Sequence, residues 1–236
     1  MGIGHMANKK HLEILSKGVR YWNQWRETNP KIKPNLTKAL LKGENLIGVN
    51  FESTNLSEAD LSWTKMKRAN LRNSKLYNAN LHKADLREAV LFRSYLESAD
   101  LSNANLREAN INDSDLIYAN LSNANLIEAG LQGSLLLGAN LKKARIDKAD
   151  LKWSDLTDAD LSHSNLSGAE LEYATLVETC LINANLTGCS IYGISAWNLE
   201  LEGAKQTGLI ITEEDEPIIT VDNLEVAQFI YLLLNN

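Results

Sequence analysis

The sequence predicts an all-β solenoid, a quadrilateral β-helix of about eight coils with short helical caps at both ends. Three observations predict it. From Leu46 to Ile191 every fifth residue is apolar: thirty consecutive positions hold twenty-five Leu, with Phe51, Met66, Ile111, Ile146 and Ile191 as the exceptions. Two residues before each of these stands a small one. Between Val49 and Cys189 those twenty-nine positions carry eighteen Ala, six Ser and three Thr besides the two end members. The serines are also ordered: Ser74, Ser94, Ser114, Ser134 and Ser154 lie twenty residues apart, with Thr54 one step earlier.

A spacing of five fits neither the 3.6-residue period of a helix nor the two-residue alternation of a strand. It fits a short extended piece followed by a bend. The aliphatic residue and its small neighbour then point the same way, as strand positions two apart do. One is large and the other small because the inside of a narrow tube has little room. Four such sides close a square of twenty residues, which is the serine spacing. Asn or Asp often precedes the aliphatic residue, where its side chain bonds nearby backbone at the bend. Eight coils at roughly 4.8 Å make a rod near 38 Å long, with Leu101, Leu106, Leu121, Leu126 and Leu141 in its core.

The unit A-(D/N)-L-x-x, unbroken over this length, resembles the pentapeptide-repeat family, and in particular its cyanobacterial members. The resemblance covers about Leu36 to Ile191 and implies that the β-helix is right-handed. It also implies a non-enzymatic role on the outside of a packed tube.

Four segments follow. Residues 1–6, "MGIGHM", read as a vector-derived leader. Residues 7–35 hold a capping helix, with Leu12, Leu15, Val19 and Trp22 at helical spacing and Asn8 as its N-cap, and a loop "TNPKIKP". Residues 36–203 form the β-helix. Residues 204–236 comprise an acidic linker, "TEEDEP", a short strand "IITV" and a C-terminal helix opened by an Asp222/Glu225 capping box. That helix is expected to lie over the last coil. The stretch "ITVDNLEVAQFIYLLLNN" also resembles the lead-in to a signalling-type domain similar to Toll/interleukin receptor modules, which implies a longer native chain.

Chemistry is sparse. The formal charge of -6 argues against general nucleic-acid or membrane-surface binding, and the apolar run Leu224–Leu234 is too short to span a bilayer. Two cysteines, Cys180 (outward) and Cys189 (inward), imply no disulfide framework. His82 and His163 share a face but lie about 19 Å apart, too far to ligate one metal. No nucleophile-elbow, zinc-protease, dinucleotide or P-loop string occurs. The expectation is no catalytic residue, no metal, no cofactor and a cytoplasmic location.

The exterior is therefore where function is sought. Basic residues gather near one end, Lys65, Lys67, Arg68 and Arg72 among them, and acids near the other, with Asp155, Asp158, Glu170 and Glu172. Between them Tyr95, Ile117, Tyr118, Leu135 and Leu137 fall at outward positions of the serine-marked face, beside Tyr77, with Val90 and Phe92 on the adjoining face. Stacking should gather these into one apolar patch, which marks a contact site for another protein, or for a second copy in a homodimer. The alternative comes from a branch of the resembling family that mimics DNA and binds DNA gyrase or topoisomerase IV. Such members are evenly acidic and dimerise through a C-terminal helix.

Leu121→Asp puts an unpaired charge into a dry column and should destabilise the protein by more than about 4 kcal/mol. Thermal melts followed by circular dichroism check this; a melting temperature within a degree of wild type would place Leu121 outside the core.

Overall fold

The computed structural model describes residues 6–213 and 215–234. Residues 1–5 of the leader expected at 1–6, and Glu214 of the acidic linker, lie outside the described residues.

Parallel single-residue bridges run without a break from Asn35↔Asn55 to Ser190↔Ile210, and every pair is twenty residues apart. The tube is therefore four-sided, one coil per twenty residues. Each central aliphatic residue donates its N–H to a carbonyl of the next coil, as Leu71 does to Val90 O at 2.7 Å and Leu121 to Asn140 O at 2.7 Å. The residue two further on does the same, and the bridge residue donates backwards, as Asn70 does to Val49 O at 2.9 Å. The five core leucines expected inside, Leu101, Leu106, Leu121, Leu126 and Leu141, are all buried. Each contributes roughly 1.5–3 kcal/mol by leaving water.

The corner has a property that the spacing does not reveal. The second residue after each central aliphatic has a positive φ, for example Arg68 at 58°, Asn103 at 59° and Tyr118 at 55°. The next N–H bonds back to the aliphatic carbonyl, as in Ala69 to Met66 O at 2.9 Å, so the corner carries the positive φ and closing bond of a type II turn. Asn and Asp are the commonest tolerant residues in that region, yet this chain also places Trp153, Lys83 and Glu88 there. The inter-coil bonds made by these residues hold them in place. The Asn/Asp role at the bridge position is as expected: Asn55 Oδ1 accepts from Ser57 N at 3.0 Å, and Asp160 Oδ1 from Ser162 N at 2.8 Å. The column also stacks, Asn120 Nδ2 donating to Asp100 Oδ1 at 3.1 Å.

Inside, the serines form a hydroxyl column. Ser114 Oγ donates to Leu91 O at 2.7 Å and accepts from Ser94 N at 3.2 Å; Ser134 Oγ donates to Ile111 O at 2.9 Å. The middle members of the twenty-residue series, Ser94, Ser114 and Ser134, thus bond coil to coil, while Ser154 Oγ bonds to Leu151 O at 2.7 Å within its own coil and Ser74 Oγ is buried without a partner.

Both ends are closed by side chains that imitate a missing coil. The N-terminal segment is two helices rather than the single one expected: α1 (Lys9–Leu15) and α2 (Val19–Thr28). Gly18, at φ 100°, breaks them apart. Asn8 caps α1, accepting from Lys10 N at 2.9 Å. Trp22 is fully buried edge-on against Phe51, with ring centroids 5.6 Å apart, and its Nε1 donates to Asn50 O at 2.7 Å. Asn23 donates to Gly48 O and accepts from Asn50 N, and Arg26 reaches Glu52 O at 2.8 Å. These are the backbone groups that another coil would have satisfied.

At the other end the single bridges widen into true strands, β1 (Thr175–Val177) parallel to β2 (Ser195–Trp197). A hairpin follows, β3 (Leu209–Ile210) antiparallel to β4 (Thr220–Val221), and then α3 (Leu224–Leu234). The helix lies over the last coil as expected, with Leu224, Ala227 and Gln228 buried. The expected capping box is not formed. Asn223 Oδ1 accepts from Val226 N at 2.9 Å, while Asp222 Oδ1 accepts from Gly208 N at 2.7 Å. Asp222 meets an unpaired coil N–H, and the next residue takes over the helix end.

Gln228 Oε1 accepts from the buried Ala196 N at 2.9 Å. Gln228→Leu should cost about 1–3 kcal/mol by orphaning that donor. Hydrogen exchange should quicken at Ser195–Trp197 and stay slow at the Leu116 coil; uniform acceleration along the rod would contradict a local capping role.

Candidate interaction surface

The serine-marked face, centred on Leu76, Leu96, Leu116, Leu136 and Leu156, carries the apolar side chains that the sequence placed there. Tyr95, Tyr118 and Leu135 are exposed, at 42%, 61% and 44%, and Ile117 and Leu137 are half-buried. Tyr77 stands against Tyr95 with ring centroids 5.8 Å apart. The Tyr118 ring lies flat over Gly138, where a Cβ would come within 2.5 Å of Cε1. Glycine there lets an aromatic ring lie along the face.

The stripe runs further than the sequence reading had it. Val177 in β1 and Trp197 in β2 continue the column of Tyr77, Ile117 and Leu137, and Trp197 is 54% exposed. Trp197 also enters an open groove of about 440 Å³ shared with Leu199, Phe229 and Leu232. Continuing the twenty-residue count from Leu137 by two and three coils would have found both residues.

Phe92 and Val90 require a correction, because they do not join the stripe. Phe92 stands on the adjoining face between two guanidinium groups, 4.9 Å from Arg72 and 4.8 Å from Arg93. Its ring is occupied by cation–π contacts. Val90 is bridged between Asn70 and Asn110 on that same face. A fifth-residue count separates faces correctly but does not show which neighbours cover a side chain.

The charged ends are partly neutralised along the stack. Lys67 and Arg68 both reach Glu88, at 2.8 and 2.6 Å, and together they hold its carboxyl below the usual glutamate range. Lys65 stays exposed. Arg93 meets Asp113 of the next coil at 3.3 Å. At the acidic end Asp155 is engaged by Thr157 N and Oγ1, Asp158 is exposed, and Glu170 pairs with Lys152 at 2.5 Å. Glu172 is the strained member: burial, more than its acidic neighbours, raises its pKa, and its Oε2 has no partner. Nearby, Trp153 stacks on Tyr173 with centroids 4.0 Å apart, and Tyr192 and Tyr231 carry the ring contacts across to α3.

Among the described residues no group of three or more His, Cys, Asp or Glu is placed to hold a metal ion. His82 Nδ1 is 2.8 Å from Ser102 Oγ. Cys189 is buried, its thiol pushed up to about 12 by burial, and Cys180 is a second free thiol. No helix among the described residues is long and apolar enough to cross a membrane.

The repeat model "Pentapeptide repeats" matches residues 35–73, 54–91, 89–126, 119–158 and 154–191. The chain belongs to the pentapeptide-repeat family. As in solved members of that family, this pentapeptide-repeat rod is a right-handed quadrilateral β-helix. It is similar to HetL, a pentapeptide-repeat protein involved in regulating heterocyst differentiation in the cyanobacterium Nostoc sp. PCC 7120. The match has 27% identity and a TM-score of 0.65, covering 91% of this chain and 100% of HetL. QnrB1, a plasmid-mediated fluoroquinolone resistance protein, matches at 17% identity and a TM-score of 0.41 over 86% of this chain and 95% of its own. Rfr23 from the cyanobacterium Cyanothece 51142 matches at 28% and 0.26, over 51% of this chain and 88% of its own. No curated relative matches the chain.

The buried Glu172 predicts a pH dependence. A carboxyl whose folded pKa is raised favours the fold while protonated and loses that contribution as pH rises through the folded value. Glu172→Gln should therefore raise the melting temperature at pH 8 while changing it little at pH 4. Paired thermal melts at the two pH values decide, and an equal shift at both would remove the burial argument.

Proposed function

We propose that this pentapeptide-repeat protein is a non-enzymatic scaffold that docks another protein along its serine-marked face. The observation that carries this reading is the apolar cluster of Ile117, Tyr118, Leu135 and Leu137 on a rigid rod, continued past Glu97 by Tyr77 and past Thr157 by Val177 and Trp197. Exposed apolar surface of this kind marks contact sites. A rod with every coil bonded to the next holds the stripe in place before binding, so little ordering is lost on association. Solved members of the fold are in general non-enzymatic scaffolds, which supports the same role. The likeness to HetL over its whole length supports regulation as the setting. Two free thiols support a reducing, cytoplasmic location.

The DNA-mimic alternative expects an evenly acidic exterior. The exposed Lys65, Arg68 and Arg93 count against it, since they would repel a DNA-binding saddle.

Ile117→Glu combined with Leu137→Glu replaces two half-buried apolar groups at the centre of the stripe. Affinity purification from the source cells should lose the partner recovered with wild type while the melting curve is kept. Full retention of the partner would move the docking surface to another face.

A further inference from the structure

We infer that the serine-marked face binds a second copy of this chain, packed side by side and antiparallel. The inference rests on the docking reading above and names its partner. The face is polarised in charge along the rod. Its middle carries Ile117, Tyr118, Leu135 and Leu137 around the half-buried Asp115. Toward its C-terminal end it bears the half-buried Asp155 and the exposed Asp158 and Glu178 with no cation beside them, whereas toward the other end Glu58 is paired with Lys38 and Glu97 is exposed. Its free cations lie toward the other end, where Lys75 and Lys33 flank Tyr95 in a concavity of about 510 Å³. Neither lysine has a carboxylate partner among the described residues.

A two-fold axis perpendicular to the rods, in the contact plane and midway between the Leu116 and Leu136 coils, turns the second rod end for end. Each column of side chains then meets the same column of the other copy. Ile117 meets the partner's Leu137, and Tyr77 meets the partner's Val177. Tyr118 meets the glycine position 138, which the partner's own Tyr118 ring covers, so the two Tyr118 rings lie against each other. Tyr95 meets the partner's Asp155, with Arg93 at the edge beside it. In this register no carboxylate on the face meets a carboxylate: Glu97 faces the partner's Thr157, Ser98 the partner's Asp158, and Asn78 the partner's Glu178. Beyond the face, Lys33 comes level with the partner's exposed acidic loop, Glu213, Asp215 and Glu216. A parallel pair about a two-fold along the rods would exchange the edge columns and set Asp155 against the partner's Asp158, and like charges in contact are costly. Charge order along the rod therefore selects the antiparallel pairing.

Sedimentation velocity on the purified protein, at low salt and over a range of concentrations, tests this. Wild type should populate a species of twice the 26.2 kDa chain mass. That species should weaken as salt screens the end charges, which act over about 10 Å at 0.1 M ionic strength. Ile117→Glu with Leu137→Glu should be monomeric. Arg93→Glu should weaken the dimer at least tenfold, and Arg93→Glu combined with Asp155→Arg should restore it; Arg145 already occupies the same repeat position as Asp155, so the arginine fits the coil. If the stripe variant fails to fold, the charge swap decides alone. A wild type that stays monomeric at every concentration, or a charge swap without rescue, overturns the antiparallel dimer. A monomer that still recovers a partner from cells leaves the docking reading intact, so the two can fail separately.

Discussion

Each coil of this protein is held by backbone hydrogen bonds to the coil twenty residues away, and those bonds lie beside a dry column of leucine. Neither part suffices alone. The ladder without the column would be a set of single-residue bridges exposed to water, where amide bonds contribute little net stability. The column without the ladder would be a greasy core with no fixed register. Bridge pairs always twenty apart place Leu over Leu, Ala over Ala and Ser over Ser, and identical stacking gives the interior one packing solution repeated.

The corner is where this arrangement is costly. A positive φ on ordinary residues is unfavourable in isolation. Here it recurs at nearly every fifth residue, on Glu, Lys, Trp and Tyr as well as on Asn and Gly. The cost is offset because the same residue donates to the next coil, as Arg68 N does to Arg87 O at 2.9 Å. The strain is therefore tolerable only inside a completed stack, which makes the ends critical. Trp22, Asn23, Arg26, Asp222 and Gln228 all serve the open edges, each with a polar group bonded to a backbone group of the end coil.

This economy of the interior leaves the outer faces chemically free. Any side chain that tolerates the corner can stand on them, at fixed steps of about 4.8 Å. Three of the faces are mostly polar or charge-paired along the stack. The serine-marked face departs from that pattern, with an apolar cluster at its middle and acids without cations toward its C-terminal end. Such a layout suits recognition by surface matching rather than by enclosure, and a partner that extends along the rod in a single orientation.

The period of five, the small residue at the second position and the twenty-residue serine spacing determined the architecture, the inward leucines and the face on which Tyr95, Ile117, Tyr118, Leu135 and Leu137 sit. They did so because each side of the square is a local object, set by its own five residues and copied. What lay beyond them was whatever depends on neighbours distant in sequence. Phe92 looked free and is clasped by Arg72 and Arg93; Lys67 and Arg68 looked like members of an open basic end and both close on Glu88. Asp222 looked like a helix cap and is drawn to Gly208 because an unpaired N–H waits there. Only the tertiary structure decided these contacts, since a coil's outer side chains meet residues about twenty positions away, and which partner wins depends on burial and reach that no five-residue unit contains.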